Sequence, residues 1–112
     1  MPNVKIHVDT ALLSRATVEV DALLLQIRDM IITALGVTVE ACHIVALAVR
    51  SPPGQTPVNI ELVLLQKPDR SRSAVQDLCA RLRDLAERAL GAPAAIRCTL
   101  ADHNTYIVIR AG

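Results

Sequence analysis

The chain has 112 residues, which corresponds to one domain with a core of moderate size. Its net charge of +1 and its aromatic fraction of 1% exclude a strongly basic, base-stacking nucleic-acid surface. The apolar fraction of 52% is above the range of ordinary globular domains, so we expect part of the apolar surface to be covered by self-association.

Neither a membrane span nor a secretory signal is predicted. The longest apolar run covers residues 44–49, whereas a spanning helix needs about 20 residues. No charged segment followed by an apolar one opens the chain. Cys42, Cys79 and Cys98 are widely spaced and form no CxxC motif. We therefore expect them to be small core residues of a protein in a reducing cytoplasm.

The first half of the chain predicts a strand, a helix and a second strand. Residues 3–8 alternate polar and apolar side chains, as in a half-buried strand. From about Thr17 to Leu35 the apolar residues recur with helical spacing, and Gly36 is a natural C-terminal cap. Residues 41–50 are rich in branched apolar side chains and predict the second strand.

The second half repeats this order after a turn-rich connector at residues 51–57. Residues 58–66 predict a strand, and Ser73 is the expected N-cap of a helix that runs to Leu90 and ends at Gly91. Residues 96–100 predict a fourth strand, and residues 106–110 a short terminal one.

The two halves match each other at an offset of 55 residues. Pro2 aligns with Pro57, Leu23 with Leu78, and the Ala-Leu-Gly ends of both helices also align. We therefore predict an α+β fold (an α/β sandwich) of one domain, residues 1–112, with βαβ pseudo-repeats at 2–51 and 57–110. One four-stranded sheet carries two helices on one face, plus the short C-terminal strand, and the strands within each unit are parallel. A ferredoxin-like βαββαβ sheet gives nearly the same pattern and is the alternative.

Pro2 is the candidate catalytic residue. Removal of Met1, which is usual before a small second residue, would leave Pro2 with a free secondary amine. An α-amino group has a pKa of about 7.7–8.0, and burial or a nearby cation lowers it, so this amine can serve as a general base near neutral pH. Pro57 occupies the equivalent position, but its nitrogen is an amide without a basic lone pair. The alternative is that Pro2 only begins a strand, where a missing N–H costs little.

A basic segment precedes the second helix. Arg70 and Arg72 lie just before its expected N-terminus, where the helix dipole already favours an anion. A guanidinium adds a planar, bidentate grip on a carboxylate. Lys67 either adds charge there or is a strand-end lysine, and the whole segment is otherwise a solvated basic loop.

Over nearly its whole length the chain resembles the tautomerase superfamily. The similarity rests on Met1-Pro2 followed at once by a strand, on the helix ending Ala-Leu-Gly-Val at 34–37, and on the second βαβ unit. Residues 67–76 are also similar to the Arg-x-Arg-Ser segment of malonate semialdehyde decarboxylases and to the Gly-Arg-Ser segment of 5-carboxymethyl-2-hydroxymuconate isomerases.

The resemblance implies a cofactor-independent enzyme, a homotrimer, that isomerises small 2-oxo or 2-hydroxydienoate acids. Pro2 would be the general base, and Arg70, Arg72 and Lys67 would bind the substrate carboxylate. A malonate semialdehyde-type decarboxylase and a non-catalytic oligomeric binding or regulatory module are the alternatives.

The remaining polar residues give weaker site candidates. Tyr106 is the single aromatic residue, and His43 begins the second predicted strand, so both are candidate site residues. Asp102 and Glu61 are candidate acidic groups, although surface positions suit both. The three histidines lack the spacing of a metal site, so no metal is expected.

Overall fold

The computed structural model describes all 112 residues. Four strands, three α-helices and one 3₁₀ turn follow each other along the chain. In order, they are β1 (Asn3–Asp9), α1 (Thr10–Arg15), α2 (Thr17–Leu35), the 3₁₀ turn (Val39–Ala41), β2 (His43–Val49), β3 (Val58–Leu65), α3 (Arg72–Leu90) and β4 (Ala94–Ala101). None of the helices combines the length and the apolar composition that crossing a membrane requires.

The strand pairing selects between the two predicted topologies. The sheet order is β2-β1-β3-β4; β1 is parallel to β2, β3 is parallel to β4, and the central pair β1–β3 is antiparallel. In a ferredoxin-like sheet another strand separates the two strands of each βαβ unit. Here they are direct neighbours, which confirms the predicted parallel units and excludes the ferredoxin-like alternative.

Both long helices cover the same face of the sheet. The inward side chains of β1 and β3 are fully or almost fully buried beneath them, as the alternating pattern predicts. This core includes Val4, Ile6 and Val8 of β1, Val58, Ile60, Leu62 and Leu64 of β3, and Val20, Leu23, Ile27, Ile31, Leu78, Leu82 and Ala86 of the helices. Each large aliphatic side chain buried there contributes about 1.5–3 kcal/mol. No helix covers the opposite face.

Glycine ends both long helices, as predicted. Gly36 and Gly91 have φ values of 63° and 61°, and their N–H groups donate to Ile32 and Glu87 at 2.9 Å. A left-handed residue at this position closes the last helical turn at little steric cost only when it is glycine.

Three local predictions need correction. The N-cap of α3 is Ser71, not Ser73: the extended backbone of Ser71 lets its hydroxyl accept the N–H of Ala74 at 3.2 Å. Helix α1 was not predicted, because its six residues are too short for a periodic stripe; it begins where the Asp9 carboxylate accepts the N–H of Ala11.

The third correction concerns the C-terminus, where residues 106–110 form no strand. A strand requires a neighbour for its N–H and C=O groups, and within this chain the segment has none. Ile107 and Ile109 are accordingly 84% and 91% exposed.

Candidate functional site

The amino-terminal residues lead into a central strand of the sheet rather than an edge strand. Asn3 pairs with His43 on β2 and with Val63 on β3, so the chain enters a central strand at once. The carbonyl of Pro2 accepts the N–H of His43 at 2.9 Å, and Pro2 itself is buried. The antiparallel β1–β3 pair therefore places Pro2 beside the carboxyl end of β3, where the predicted basic segment begins.

Arg70 is the buried charge of this region. It is 3% exposed and is the single buried polar or charged residue of the chain. Its Nη1 donates to the carbonyl of Leu65 at 2.6 Å, and its backbone N–H donates to the carbonyl of Lys67 at 3.0 Å. None of the four ion pairs includes Arg70. The structure therefore holds a buried guanidinium without a carboxylate partner, which is costly unless an anion binds there.

Three cations act on the terminal amine. The pKa of the Met1 amino group is lowered from its ordinary value of 8.0 by burial and, in decreasing order, by the charges of Arg70, Lys67 and Arg110. Burial and positive neighbours both disfavour the protonated form. An amine at this end of β1 is thus biased toward the neutral, basic form.

Two of the three buried polar atoms without a hydrogen-bond partner belong to residues at this end of β1. The buried side-chain atoms without a hydrogen-bond partner are Asn3 Oδ1, Arg28 Nε and Arg70 Nε. Arg28 lies apart from these two: it lines a groove with Cys42 and Ile44, its Nε is 4.0 Å from Oδ1 of Asp29, and it is not among the charges that act on the amine. Asn3 Oδ1 and Arg70 Nε are therefore one acceptor and one cationic donor without a partner, and such orphaned groups need an explanation in a native fold.

The turn after β4 lies at the same end of the sheet as the amine. Gln66 donates its N–H to the carbonyl of Ala101 at 2.9 Å, and its own carbonyl contacts Nε2 of His103 at 2.7 Å. These bonds hold the turn after β4 against the end of β3. Sequence reasoning missed Arg110 and Asn3, for which the sequence carried no signal.

The predicted site residues separate into two groups. Lys67 and Arg70 lie with the amino-terminal end. Arg72, the first residue of α3, lines a separate groove between α3 and β4 and is not among the cations that act on the amine. His43 is exposed at the start of β2, and Tyr106 is half-buried at the end of the turn whose first residue is Asp102.

The other acidic candidate, Glu61, lies in mid-strand opposite Lys5, with its Oε2 4.0 Å from Nε2 of His7. Neither Glu61 nor Asp102 is among the charges that shift the pKa of the amine. No cluster of His, Cys, Asp and Glu in the chain has the arrangement of a metal site.

No protein-family model and no curated protein sequence matches the chain. Solved structures, in contrast, match it over nearly its whole length. A fused 4-OT (4-oxalocrotonate tautomerase) asymmetric trimer aligns with a TM-score of 0.77 at 15% identity, covering 95% of this chain and 91% of that chain.

Two further structures extend the similarity. Pt0534 inactivated by 2-oxo-3-pentynoate has a TM-score of 0.71 at 15% identity, with 93% of this chain and 89% of that chain covered. A macrophage migration inhibitory factor-like protein from Entamoeba histolytica has a TM-score of 0.72 at 11% identity, with 98% and 96% covered. These likenesses, together with the two parallel βαβ units in one sheet, show that the chain has the fold of the tautomerase superfamily.

Proposed function

We propose that this chain is a cofactor-independent tautomerase or isomerase of small 2-oxo or 2-hydroxydienoate acids, with the Pro2 amine as its general base. The observation that carries the proposal is the buried guanidinium of Arg70, which has no carboxylate partner and lowers the pKa of the Met1 amino group next to Pro2. A carboxylate substrate supplies the missing anion, and the amine supplies the base.

Arg70 is the principal carboxylate ligand in this mechanism. Its unpaired Nε is a donor, and Lys67 adds a second positive charge. Arg72 remains a predicted ligand of the substrate carboxylate, although it lines the separate groove between α3 and β4.

The reaction is a proton transfer along a conjugated acid. The neutral Pro2 amine removes a proton from carbon or from the enol oxygen, and the resulting ammonium returns the proton at the other end of the conjugated system. The cations stabilise the dienolate that develops between the two steps. Atoms balance without a further reactant, because the substrate only changes the position of one proton and of its double bonds.

Two neighbours support this substrate class. The fused 4-OT is a tautomerase, and Pt0534 is inactivated by 2-oxo-3-pentynoate, a 2-oxo acid. For the present chain, the proposed substrate class rests on the cations of Arg70 and Lys67, which would bind a substrate carboxylate.

The mechanism requires that Met1 be removed. With Met1 in place, the nitrogen of Pro2 is an amide and has no basic lone pair. The intact mass of protein from its native host therefore decides whether the proposed base exists.

The test compares ketonisation of a 2-hydroxydienoate by the wild type, Pro2→Ala and Pro57→Ala. Pro57 is the matched control, because it lies at the equivalent repeat position with an amide nitrogen. We expect Pro2→Ala to lose about 10²-fold or more in kcat/KM, the lower end of the range for a general base, since an alanine amine remains. Pro57→Ala should keep its activity.

A preparation that retains Met1 gives a second control, because it keeps the Pro2 ring but blocks its nitrogen. It should be inactive. Full activity in this preparation or in Pro2→Ala would refute the mechanism. Release of CO₂ from malonate semialdehyde would instead identify the decarboxylase alternative, and binding of carboxylates without turnover would identify a binding module.

A further inference from the structure

Two of the three cysteines share one groove on the side of the molecule formed by α3 and β4. Cys98 pairs in register with the buried Leu62, so its side chain lies on the face of the sheet that the helices cover. Cys79 lies on α3, and both thiols line a groove of about 320 Å³ together with Arg72, Val75, Gln76, Ile96 and Leu100. Both cysteines are half-buried and pack against the core, so they are fixed in position yet reachable from solvent.

The two thiols influence each other's ionisation. Hydrogen bonding to Cys98 lowers the pKa of the Cys79 thiol to about 7, against the opposing effect of burial. The same hydrogen bond and burial raise the pKa of Cys98. Near neutral pH, Cys79 therefore has thiolate character beside a protonated thiol, and the thiolate is the nucleophilic form of cysteine.

Cys42 provides an internal contrast. It immediately precedes β2, which is one edge strand of the sheet, whereas Cys98 lies on β4, the opposite edge strand. The Sγ of Cys42 donates to the carbonyl of Thr38 at 3.6 Å, and burial raises its pKa. Cys42 therefore has neither a thiol neighbour nor an activated sulfur.

We propose that Cys79 and Cys98 are a redox modification site that forms a reversible intramolecular disulfide with a peroxide oxidant. The Cys79 thiolate attacks one oxygen of H₂O₂; an S–O bond forms, the O–O bond breaks, and the departing hydroxide is protonated to water. Cys98 then attacks the sulfenic sulfur as its proton leaves, an S–S bond forms, and the S–O bond breaks with release of a second water. The two thiols give up two electrons, and one peroxide becomes two waters.

The disulfide would connect α3 to the edge strand β4. It closes a loop from residue 79 to residue 98, which restricts the unfolded chain and favours the folded state. The proposal does not depend on the tautomerase function.

The test is a thiol map of the reduced wild-type chain after treatment with a slight excess of H₂O₂ and then iodoacetamide. Trypsin should release residues 73–81 linked to residues 98–110, at the summed mass of the two peptides less two hydrogens. Residues 29–50, which contain Cys42, should carry one alkyl group. Dithiothreitol should restore alkylation of all three thiols.

Single serine variants separate this site from general oxidation. Cys42→Ser should form the link at the wild-type rate, whereas Cys79→Ser and Cys98→Ser should not form it. Oxidation should raise the urea midpoint of the wild type and of Cys42→Ser, but not of Cys79→Ser. Links that involve Cys42, links only between chains, or equal oxidation of all three thiols would overturn the proposal, and the wild-type map tests it even if a variant folds poorly.

Discussion

At the scale of single residues, the buried Arg70 is the unusual feature. Removing a guanidinium from water costs several kcal/mol, and this one recovers part of that cost through the Leu65 carbonyl while its Nε stays unpaired. Such a charge is better explained by a bound anion than by stability. The expected ligand is the carboxylate of the proposed substrate.

We expect Arg70→Gln to lower kcat/KM by roughly 10- to 100-fold, because a hydrogen bond to a charged group is worth about 1.5–3 kcal/mol. Steady-state kinetics with a 2-hydroxydienoate measures this, and urea unfolding shows whether the variant is folded. Arg81→Gln is the matched control, since Arg81 is an exposed arginine of α3 with its Nη1 3.7 Å from Asp77. Equal losses in both variants would contradict a specific role for Arg70.

The cations around the amine also predict a pH dependence. Only the neutral amine accepts a proton, so kcat/KM should rise with pH through the pKa of the amine and then level off. Burial, Arg70, Lys67 and Arg110 all lower the pKa of the Met1 amino group, and we expect the same surroundings to lower the pKa of the Pro2 amine and so to move the inflection to lower pH.

Neutralising a cation should move the inflection to higher pH. The shift should be larger in Arg70→Gln than in Lys67→Gln, and larger in Lys67→Gln than in Arg110→Gln, because the effects decrease in that order. A pH profile that stays in place in Arg70→Gln would show that the amine is not the titrating base.

At the scale of elements, the N-terminus of α3 offers a test that uses neighbouring serines. Ser71 caps the helix through its bond to the N–H of Ala74, whereas Ser73 is exposed in the first turn. Ser71→Ala should reduce the free energy of unfolding by about 1 kcal/mol, the usual value of an N-cap. Ser73→Ala should change it by about 0.5 kcal/mol or less.

Urea unfolding of the two variants measures the difference. A larger loss of unfolding free energy in Ser73→Ala than in Ser71→Ala would show that Ser73 is the N-cap, as the sequence pattern predicts. Because Arg70 directly precedes Ser71, loosening the cap should also weaken carboxylate binding, which can be followed by the KM of the same variants.

At the scale of the whole molecule, the uncovered sheet face and the C-terminal segment point to self-association. The uncovered face carries Val45, Leu47 and Val49 of β2, and Val63 and Leu65 of β3. Ile107 and Ile109 are exposed in a segment with no strand partner. We propose that both surfaces are covered in a homotrimer, in which the segment pairs with an edge strand of a neighbouring subunit.

Sedimentation velocity tests this assembly. The wild type should have a sedimentation-derived mass of three times the 12.1 kDa of one chain, and Ile109→Asp should dissociate the trimer. Val18→Asp is the control, because Val18 is 77% exposed on α2, away from the sheet face and the C-terminal segment. A monomeric wild type, or dissociation by both variants, would contradict the proposed interface.

The repeat, the alternating strands and the two glycine caps could be derived from the sequence because each depends on neighbours along the chain. The inward positions of β1 and β3, the apolar stripes of α2 and α3, and Gly36 and Gly91 all lie where local periodicity placed them. The same pattern predicted that the two strands of each βαβ unit are parallel, but not that they are direct neighbours in the sheet.

Only the tertiary structure decided which polar groups meet. Sequence spacing grouped Arg70 with Arg72, yet the turn at Lys67 buries Arg70 near the amine while Arg72 turns to the groove of Cys79. Asn3 and Arg110 come from opposite ends of the chain, and only the tertiary structure brings both near the amine. The sequence alone thus determined the fold class and made Pro2 the candidate base. Its electrostatic surroundings depend on long-range contacts, which local periodicity does not encode.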